Sequence, residues 1–331
     1  MAYAKIHTPF LIFYVMLLAI IAMIVGIALL VYSAEFFIEG SSGIALKFGM
    51  PKLLVGMLVI GVGTSAPEIV VSVLSTLNGA PGLALGNAYG SNITNITLVL
   101  GATALVSPLF IQKSLVKSDF LILIGITALA IFQLLDGQVS RLDGAILLGA
   151  LAVFLAFQIY MAKLGKSASD DVPDTVDFRM GVAVAKLIGG LVVLVLSSRL
   201  VVWGAVEIAK IAGLSELIIG LTIVAIGTSL PELVSSIIAV RKGEDEMALG
   251  NVIGSNIFNT LAVVGIPAAI MPMAVAREVV SRDMIVMGGV TGLLFILCLL
   301  AVRGSQKLGR GVGAVLLSIF IGYTVWLFVG G

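Results

Sequence analysis

Two glutamates stand at equivalent places in a duplicated, proline-containing motif. The pattern Gly-Thr-Ser-x-Pro-Glu occupies residues 63–68 and recurs, 164 positions later, at residues 227–232. Proline lacks an N–H group, so it frees a carbonyl in the preceding helical turn and loosens that turn. Because Thr64 and Glu68 are four residues apart, a hydroxyl, a free carbonyl and a carboxylate converge on one helical face. The second copy repeats this arrangement with Thr228 and Glu232.

A second duplicated motif adds hydroxyl and amide oxygens with the same 164-residue spacing. The pattern Gly-Asn-x-x-Gly-Ser-Asn-Ile-x-Asn occupies residues 86–95 and 250–259. In each copy a serine and an asparagine are four residues apart and share a helical face. These pairs are Ser91 with Asn95 and Ser255 with Asn259. Glycines in both copies allow neighbouring backbones to approach closely: Gly86, Gly90, Gly250 and Gly254.

These motifs together offer a ligand set made only of oxygen. Ca²⁺ accepts about six to eight oxygen ligands in irregular geometry, and two bidentate glutamates with two carbonyls would supply about six. Mg²⁺ requires a tighter octahedron. The single histidine, His7, lies near the N-terminus and the single cysteine, Cys298, lies in a late apolar run. Histidine-based zinc sites are therefore excluded, and soft transition metals are disfavoured.

Each of these residues also has a structural interpretation. Inserting a carboxylate into a membrane costs on the order of 3 kcal/mol of free energy. The presence of two such residues, Glu68 and Glu232, at equivalent positions beside helix breaks therefore favours a functional role. Ser91 and Ser255 could instead mediate helix packing, and the asparagines that follow them could join helices by hydrogen bonds. Two further pairs stay open between structure and cation binding: Ser65 with Ser229, and Asn87 with Asn251.

The composition places the chain in the membrane class. Of 331 residues, 60% are hydrophobic and 11% are charged, and the mean hydropathy is +1.20. A soluble protein of this length cannot hide so much apolar surface. The net charge of +1 argues against electrostatic attraction to nucleic acid. The apolar run from Phe10 to Val31 is too long for a signal-peptide core, so we interpret it as the first span.

Ten apolar runs approach the length of about 20 residues that a bilayer requires. They predict an all-α membrane protein with ten transmembrane helices, arranged as two inverted-topology repeats of five helices. The first repeat covers residues 1–162 with its motif region at 56–101, and the second covers 180–331 with its motif region at 220–265. A polar linker at 163–179 separates them. The predicted spans lie near 10–38, 51–77, 81–108, 118–136, 143–162, 180–209, 215–240, 246–272, 283–302 and 309–330.

The Lys and Arg residues predict the orientation. With both termini outside the cytoplasm, 13 of the 19 basic residues fall in cytoplasmic loops and five fall outside, as the positive-inside rule requires. The linker is then cytoplasmic. An odd number of spans in each repeat inverts the second repeat relative to the first. We expect a multi-pass protein of the cytoplasmic (inner) membrane.

No nucleotide site is expected. The stretch Leu-Gly-Lys-Ser at 164–167 resembles the end of a P-loop, but Tyr160 occupies the position where that motif needs glycine. Uphill transport would therefore use a second ion gradient, as in an antiporter or a symporter.

At these motifs the chain resembles the calcium/cation antiporter superfamily, specifically its prokaryotic sodium/calcium exchanger-like branch. The resemblance covers essentially all ten predicted spans. It implies that spans 2, 3, 7 and 8 surround a central site, while spans 1 and 6 slide past them as a gate. It implies Ca²⁺ binding by Glu68, Glu232 and the carbonyls of Thr64 and Thr228. It implies Na⁺ binding by those four residues together with Ser91, Ser255 and the carbonyls of Gly61 and Ala225, with Asn95, Asn259, Ser65 and Ser229 lining the site.

The resulting expectation is a secondary antiporter, not an enzyme, that exchanges Ca²⁺ for Na⁺ electrogenically and without a resident cofactor. Some potassium-dependent relatives have Asp where this chain has Asn259, so the fixed site charge of −2 favours K⁺-independent exchange. Two alternatives stay open: an H⁺-coupled Ca²⁺/cation antiporter, and a cation channel. Expected partners are the two ions and the lipid bilayer, without nucleic acid or nucleotide, and the mechanism does not require an oligomer.

Overall fold

The computed structural model describes residues 9–166, 180–213, 223 and 225–329, and this part of the chain is predominantly helical. The helices of the first half are α1 Pro9–Phe48, α2 Lys52–Val55, α3 Gly61–Thr64, α4 Ala66–Leu77, α5 Pro81–Thr94, α6 Leu100–Val106, α7 Lys113–Lys117, α8 Asp119–Leu134 and α9 Arg141–Lys166. Those of the second half are α10 Met180–Ile211, α11 Ala225–Thr228, α12 Leu230–Arg241, α13 Asp245–Phe258, α14 Gly265–Ile270, α15 Met284–Arg303 and α16 Arg310–Val329.

The length and hydropathy of these helices define a multi-pass membrane protein. Within the described residues, six helices are long and apolar enough to cross a bilayer, and a seventh span results if Lys52–Thr64 and Ala66–Leu77 are joined across their 41° bend. The prediction of a helical membrane protein is confirmed. The number of ten spans stays a prediction, because α5 and α8, in predicted spans 3 and 4, have only 14 and 16 residues, and the start of predicted span 7 lies outside the described part.

Four π-helical turns lie wholly within the described residues, and the sequence did not predict them. They cover Gly56–Ile60, Asn95–Val99, Asn259–Val264 and Val279–Asp283. Two of them begin at Asn95 and Asn259, which are equivalent asparagines of the duplicated motif. Such turns occur frequently at functional sites, because they redirect the side chains and carbonyls around them.

Two antiparallel strand pairs of two residues each join the halves of the molecule. Strand β1 (Leu109–Phe110) pairs with β4 (Lys307–Leu308), and β2 (Gln138–Val139) pairs with β3 (Met273–Ala274). These pairs are a small correction to the purely helical prediction. Strands β1 and β3 are 164 residues apart, and β2 and β4 are 169 residues apart, so exchanging the halves of the chain converts one pair approximately into the other. This relation is expected of a duplicated fold with internal two-fold symmetry.

The two longest helices, α1 and α10, pack side by side along most of their lengths. Glycines allow this close approach: a Cβ added at Gly190 would lie 2.6 Å from the backbone nitrogen of Phe37, and one at Gly204 would lie 2.6 Å from the carbonyl oxygen of Ala19. Most of the remaining surface of both helices is exposed, and its apolar composition suits contact with lipid. The pair therefore forms a layer beside the remaining helices.

Backbone contact also joins the first half to the second inside the bundle. The segment α2–α3, with its π-helical turn, packs on α13. A Cβ at Gly254 would lie 2.6 Å from the carbonyl oxygen of Met57, and one at Gly56 would lie 2.5 Å from that of Met247. This contact confirms the expected role of the second motif's glycines for the 250–259 copy. For Gly86 and Gly90, no described atom lies within 4 Å of an added Cβ.

The predicted linker at 163–179 begins later than expected. Helix α9 continues through Lys166 and α10 begins at Met180, so residues 163–166 are helical. The rest of the linker lies outside the described residues. The helix extends past the predicted boundary at residue 162, because the next two residues, Lys163 and Leu164, are good helix formers.

Candidate functional site

Both proline-containing motifs break their helices at the same position. Helix α3 ends at Thr64 and α4 begins at Ala66, with Ser65 between them at φ −80° and ψ 1°. In the second copy, Ser229 separates α11 from α12 at φ −87° and ψ 5°. These paired breaks confirm the prediction. Each glutamate consequently lies in the first turn of a new helix, where the positive end of the helix dipole favours negative charge.

The two glutamates meet in the interior of the bundle. Glu68 and Glu232 are both 0% exposed and lie close enough for direct electrostatic interaction. The side chain of Thr228 adjoins Glu68, and the hydroxyl of Ser65 donates to Glu232 Oε1 at 3.4 Å. Each carboxylate is therefore surrounded by groups of the opposite half. The structure brings together residues that are 164 positions apart, as a duplicated site requires.

Several buried polar atoms, most of them on the predicted site residues, have no hydrogen-bond partner among the described residues. Leaving one such group unsatisfied costs about 1–3 kcal/mol, so a cluster of them indicates a place for an ion or for water. The sequence-predicted site residues supply most of this cluster. Its members are both carboxylate oxygens of Glu68, Glu232 Oε2, the hydroxyls of Ser91 and Ser229, and both amide atoms of Asn95 and of Asn259.

The contact between α3 and α13 places further predicted ligands side by side. The Ser255 hydroxyl lies 3.4 Å from the carbonyl oxygen of Gly61. Thr64 is fully buried, and its hydroxyl lies 3.0 Å from the carbonyl oxygen of Ile60. Ala225 begins helix α11, one turn before the second break, which corresponds to the position of Gly61 before the first. The predicted residues of the first break and the second motif are thus neighbours.

Two asparagines whose role the sequence left open hold the glutamate backbones. Asn87 Nδ2 donates to the carbonyl of Glu68 at 3.2 Å, and Asn251 Nδ2 donates to that of Glu232, also at 3.2 Å. Both bonds span 19 residues. That shared spacing was visible in the sequence, but only the folded contact shows that these amides lie behind the glutamates.

Sequence analysis missed Ser198. Its hydroxyl donates to the carbonyl of Gly227 at 2.8 Å, so it ties α10 to the last turn before the second helix break. The equivalent position in the first half is Ala34. Because this residue is not duplicated, the repeat offered no signal that could have identified it.

Ion pairs cluster at one end of the molecule. Glu39 on α1 pairs with Lys186 on α10 at 2.8 Å and with Lys242, just after α12, at 2.7 Å. Lys52 pairs with Glu244 at 2.8 Å. Partly exposed pairs of this kind contribute little stability, but they connect the α1–α10 layer to the helices that carry the site. The positive-inside prediction places this end in the cytoplasm.

A helical membrane protein in which two broken helices bring paired carboxylates together has the form of a repeat-built secondary transporter. Residues 18–160 and 182–329 match the family described as "Sodium/calcium exchanger protein". The chain belongs to the sodium/calcium exchanger family.

Similar proteins extend over nearly the whole chain. A protein named putative antiporter CaxA, from Alkalimonas amylolytica, is 43% identical over 95% of this chain and 99% of its own length. Inner membrane protein YrbG of Escherichia coli (strain K12) is 40% identical over 94% of this chain and 96% of its own. A solved structure of the sodium-calcium exchanger NCX_Mj, soaked with 2.5 mM Na⁺ and 0.1 mM Ca²⁺, has a TM-score of 0.80 at 31% identity. It covers 94% of this chain and 98% of that one.

Proposed function

We propose that this protein is an antiporter that exchanges Ca²⁺ for Na⁺ by alternating access, electrogenically and independently of K⁺. The observation that carries the proposal is the pair of fully buried glutamates, Glu68 and Glu232, three of whose four carboxylate oxygens have no hydrogen-bond partner among the described residues. Two adjacent carboxylates inside a membrane are stable only when cations or protons neutralise them. Family membership makes Na⁺ and Ca²⁺ the first cations to test.

For Ca²⁺ we propose a ligand set of the two glutamates and the carbonyls of Thr64 and Thr228. The helix breaks at Ser65 and Ser229 support this set, because Thr64 and Thr228 are the last residues of the helices before each break, where helical carbonyls lack partners within their own helix. Ca²⁺ balances the two carboxylates, so the loaded site is formally neutral. The loaded site therefore carries no net charge within the low-dielectric interior of the membrane while the helices move around it.

For Na⁺ we propose overlapping positions that use the same glutamates. Hydroxyls and carbonyls beside them complete the coordination. The proposed additional ligands are Ser91, Ser255, Gly61 and Ala225, with Asn95, Asn259, Ser65 and Ser229 lining the site.

Shared ligands make the two ions compete, and three Na⁺ would leave the site at about +1. Exchange of three Na⁺ for one Ca²⁺ therefore moves charge. Neither Asn95 nor Asn259 adds a carboxylate that could compensate K⁺, which is the basis of the proposed K⁺ independence.

The proposed architecture follows the sequence prediction. Ten spans would form two inverted repeats at 1–162 and 180–331, with the 163–179 linker in the cytoplasm and both termini outside the inner membrane. The two strand pairs support this symmetry, because each joins one half of the chain to the other at corresponding places. The proposed mechanism requires no nucleotide, cofactor or oligomer.

In the proposed transport step, α1 and α10 slide as one unit past the helices that carry the site. Their glycine-mediated contact supports motion as a pair, and most of their remaining surface faces outward. Sliding with unneutralised carboxylates would leave paired charges in the membrane, so bound ions are required for the motion. This requirement couples the two fluxes and suppresses leak.

The direct test is ⁴⁵Ca²⁺ uptake into proteoliposomes that contain the purified full-length protein. Outward gradients of Na⁺, H⁺ and K⁺ are imposed separately on matched vesicles. We expect uptake to follow the Na⁺ gradient alone. Uptake that depends on a pH gradient and not on the Na⁺ gradient would contradict this proposal and support the H⁺-coupled antiporter. Single-channel conductance in a planar bilayer would support a cation channel instead.

A further inference from the structure

The amide of Asn251 is held in one orientation behind the second glutamate. Its Nδ2 lies 3.2 Å from the carbonyl oxygen of Glu232, 3.2 Å from Ser235 Oγ and 2.9 Å from Ser236 Oγ. An amide nitrogen only donates and an amide oxygen only accepts, so these three acceptors direct Oδ1 to the other side. Asn251 is 1% exposed, and its oxygen therefore faces protein rather than solvent.

Two hydroxyls stand near this oxygen and also beside the Glu232 carboxylate. The Thr64 hydroxyl lies 3.1 Å from Asn251 Oδ1, and the Ser255 hydroxyl lies 3.5 Å from it. Both hydroxyls also interact with the carboxylate of Glu232. A hydroxyl has a single hydrogen and two lone pairs. Each can therefore donate to the carboxylate or to the amide oxygen, but not to both at once.

The direction of that hydrogen decides whether a hydroxyl can bind a cation. A hydroxyl that donates to Glu232 directs positive hydrogen toward the place where a cation would bind. A cation bound at Glu232 repels that hydrogen and requires a second acceptor for it. We infer that Asn251 is a positioning residue that accepts these hydrogens and so frees the oxygens of Thr64 and Ser255 for Na⁺.

This inference rests on the proposed function and deepens it by naming a group that adapts the site to Na⁺. The two hydroxyls depend on Asn251 to different degrees. Thr64 has a second acceptor in the carbonyl of Ile60 at 3.0 Å. The other acceptor near Ser255 is the carbonyl of Gly61 at 3.4 Å, which is itself a proposed Na⁺ ligand. Loss of the amide should therefore act mainly through Ser255. The proposed Ca²⁺ ligands are carboxylates and carbonyls, which need no such rearrangement.

The test is equilibrium ⁴⁵Ca²⁺ binding to the purified full-length protein, with Na⁺ as competitor. In Asn251→Ala, we expect the Na⁺ concentration for half-displacement to rise about five-fold, the effect of one lost hydrogen bond. The Ca²⁺ affinity should stay within about two-fold. Ser236→Ala is the matched control, because it removes an acceptor of the amide nitrogen and leaves the amide oxygen in place; its Na⁺ displacement should match wild type. An equal loss of affinity for both ions in Asn251→Ala would contradict the inference.

A double-mutant cycle with Ser255→Ala separates positioning from general disruption. If Asn251 acts through Ser255, the double variant loses little more Na⁺ affinity than Ser255→Ala alone, whereas fully additive losses overturn the inference. Should Asn251→Ala fail to fold, Asn251→Leu keeps the branched shape of the side chain without its amide oxygen and adds no charge, and it should show the same rise in the Na⁺ concentration for half-displacement; wild-type displacement in Asn251→Leu overturns the inference. If Na⁺ does not displace Ca²⁺ from the wild-type protein, the proposed function is refuted. If Na⁺ displaces Ca²⁺ from the wild-type protein and does so equally well from Asn251→Ala, only this inference is refuted and the proposed function stands.

Discussion

At the scale of single residues, the buried glutamates set the charge that the site offers to a cation. In Glu68→Gln or Glu232→Gln we expect Ca²⁺ exchange to be abolished while the protein still folds and inserts, since a neutral amide lowers the cost of insertion. Removing one charge about 4 Å from a cation weakens the attraction by about 4 kcal/mol per cation charge at an effective dielectric constant of 20. That is about a thousand-fold in affinity. ⁴⁵Ca²⁺ uptake into proteoliposomes measures the loss.

The control for these variants is Asp136→Asn, which neutralises an exposed carboxylate between α8 and β2. It should transport like wild type. Full exchange activity in both glutamine variants would contradict the assignment of the central site.

The sequence singles out the proposed site residues, because duplication marks them twice. Equal spacing identified Glu68, Ser91, Asn95 and their counterparts, and the structure places most of the unsatisfied polar atoms among them. It could not identify Ser198, which occurs once. It also could not assign Asn87 and Asn251, because their hydrogen bonds to the glutamate carbonyls exist only after the helices pack.

At the scale of elements, the contact between α13 and the π-helical turn Gly56–Ile60, which precedes α3, depends on glycine. A Cβ at Gly254 would lie 2.6 Å from the carbonyl oxygen of Met57 and 2.7 Å from its Cα, and neither backbone can yield without moving its helix. We expect Gly254→Ala to destabilise the protein by about 1–3 kcal/mol, the usual cost of overpacking. Thermal unfolding in detergent measures this change.

The matched control is Gly125→Ala, because Gly125 is also inside a helix but has no described atom within 4 Å of an added Cβ. Its unfolding temperature should not fall. Equal stability of Gly254→Ala and wild type would show that α13 does not need to pack closely against Gly56–Ile60. That result would contradict the close packing on which the proposed site depends.

The hydrogen bond between α10 and the second break predicts a kinetic effect. The Ser198 hydroxyl lies 2.8 Å from the carbonyl oxygen of Gly227, and this bond must break whenever α10 slides. In Ser198→Ala we expect the maximal exchange rate to rise about five-fold, as loss of about 1 kcal/mol from one conformation implies. Ca²⁺ affinity should be unchanged, since neither group is a proposed ligand.

Ser197→Ala is the control for this variant, because the Ser197 hydroxyl donates to the carbonyl of Val193 within its own helix at 2.6 Å. Its exchange rate should equal that of wild type. A similar rate change in both variants would show that any serine loss from α10 alters the exchange rate, and that the hydrogen bond from Ser198 to Gly227 is not the cause.

Sequence patterns predicted the helices better than their interruptions. Apolar runs indicated a helical membrane protein, and prolines located both breaks. The π-helical turns at Gly56–Ile60 and Asn95–Val99 involve one shifted hydrogen bond each, which leaves hydrophobic periodicity almost unchanged. The strand pairs are only two residues long, too short for alternation of polar and apolar residues to be recognised.

At the scale of the whole molecule, the distribution of basic residues predicts the orientation in the membrane. On a background in which Cys298 is replaced by Ala, we expect Ser169→Cys in the linker to react with a membrane-impermeant thiol reagent only from the cytoplasmic side. Asp136→Cys should react only from the outside, because 13 of the 19 basic residues then face the cytoplasm. Sealed inside-out and right-side-out vesicles distinguish the two. Labelling of Ser169→Cys only from the outside means that the orientation is reversed.

Charge movement follows from the site as a whole and distinguishes Na⁺ coupling from a neutral exchange. Two carboxylates bind one Ca²⁺ without net charge but hold three Na⁺ with about one charge in excess. Ca²⁺ entry into Na⁺-loaded vesicles thus removes one positive charge per cycle. We expect an inside-positive potential, imposed by valinomycin and an inward K⁺ gradient, to accelerate ⁴⁵Ca²⁺ uptake. Without valinomycin, replacing K⁺ by choline should change nothing, because the site has no third carboxylate to compensate K⁺. Uptake that ignores the potential would require two Na⁺ per Ca²⁺, and dependence on K⁺ without the ionophore would place K⁺ among the transported ions.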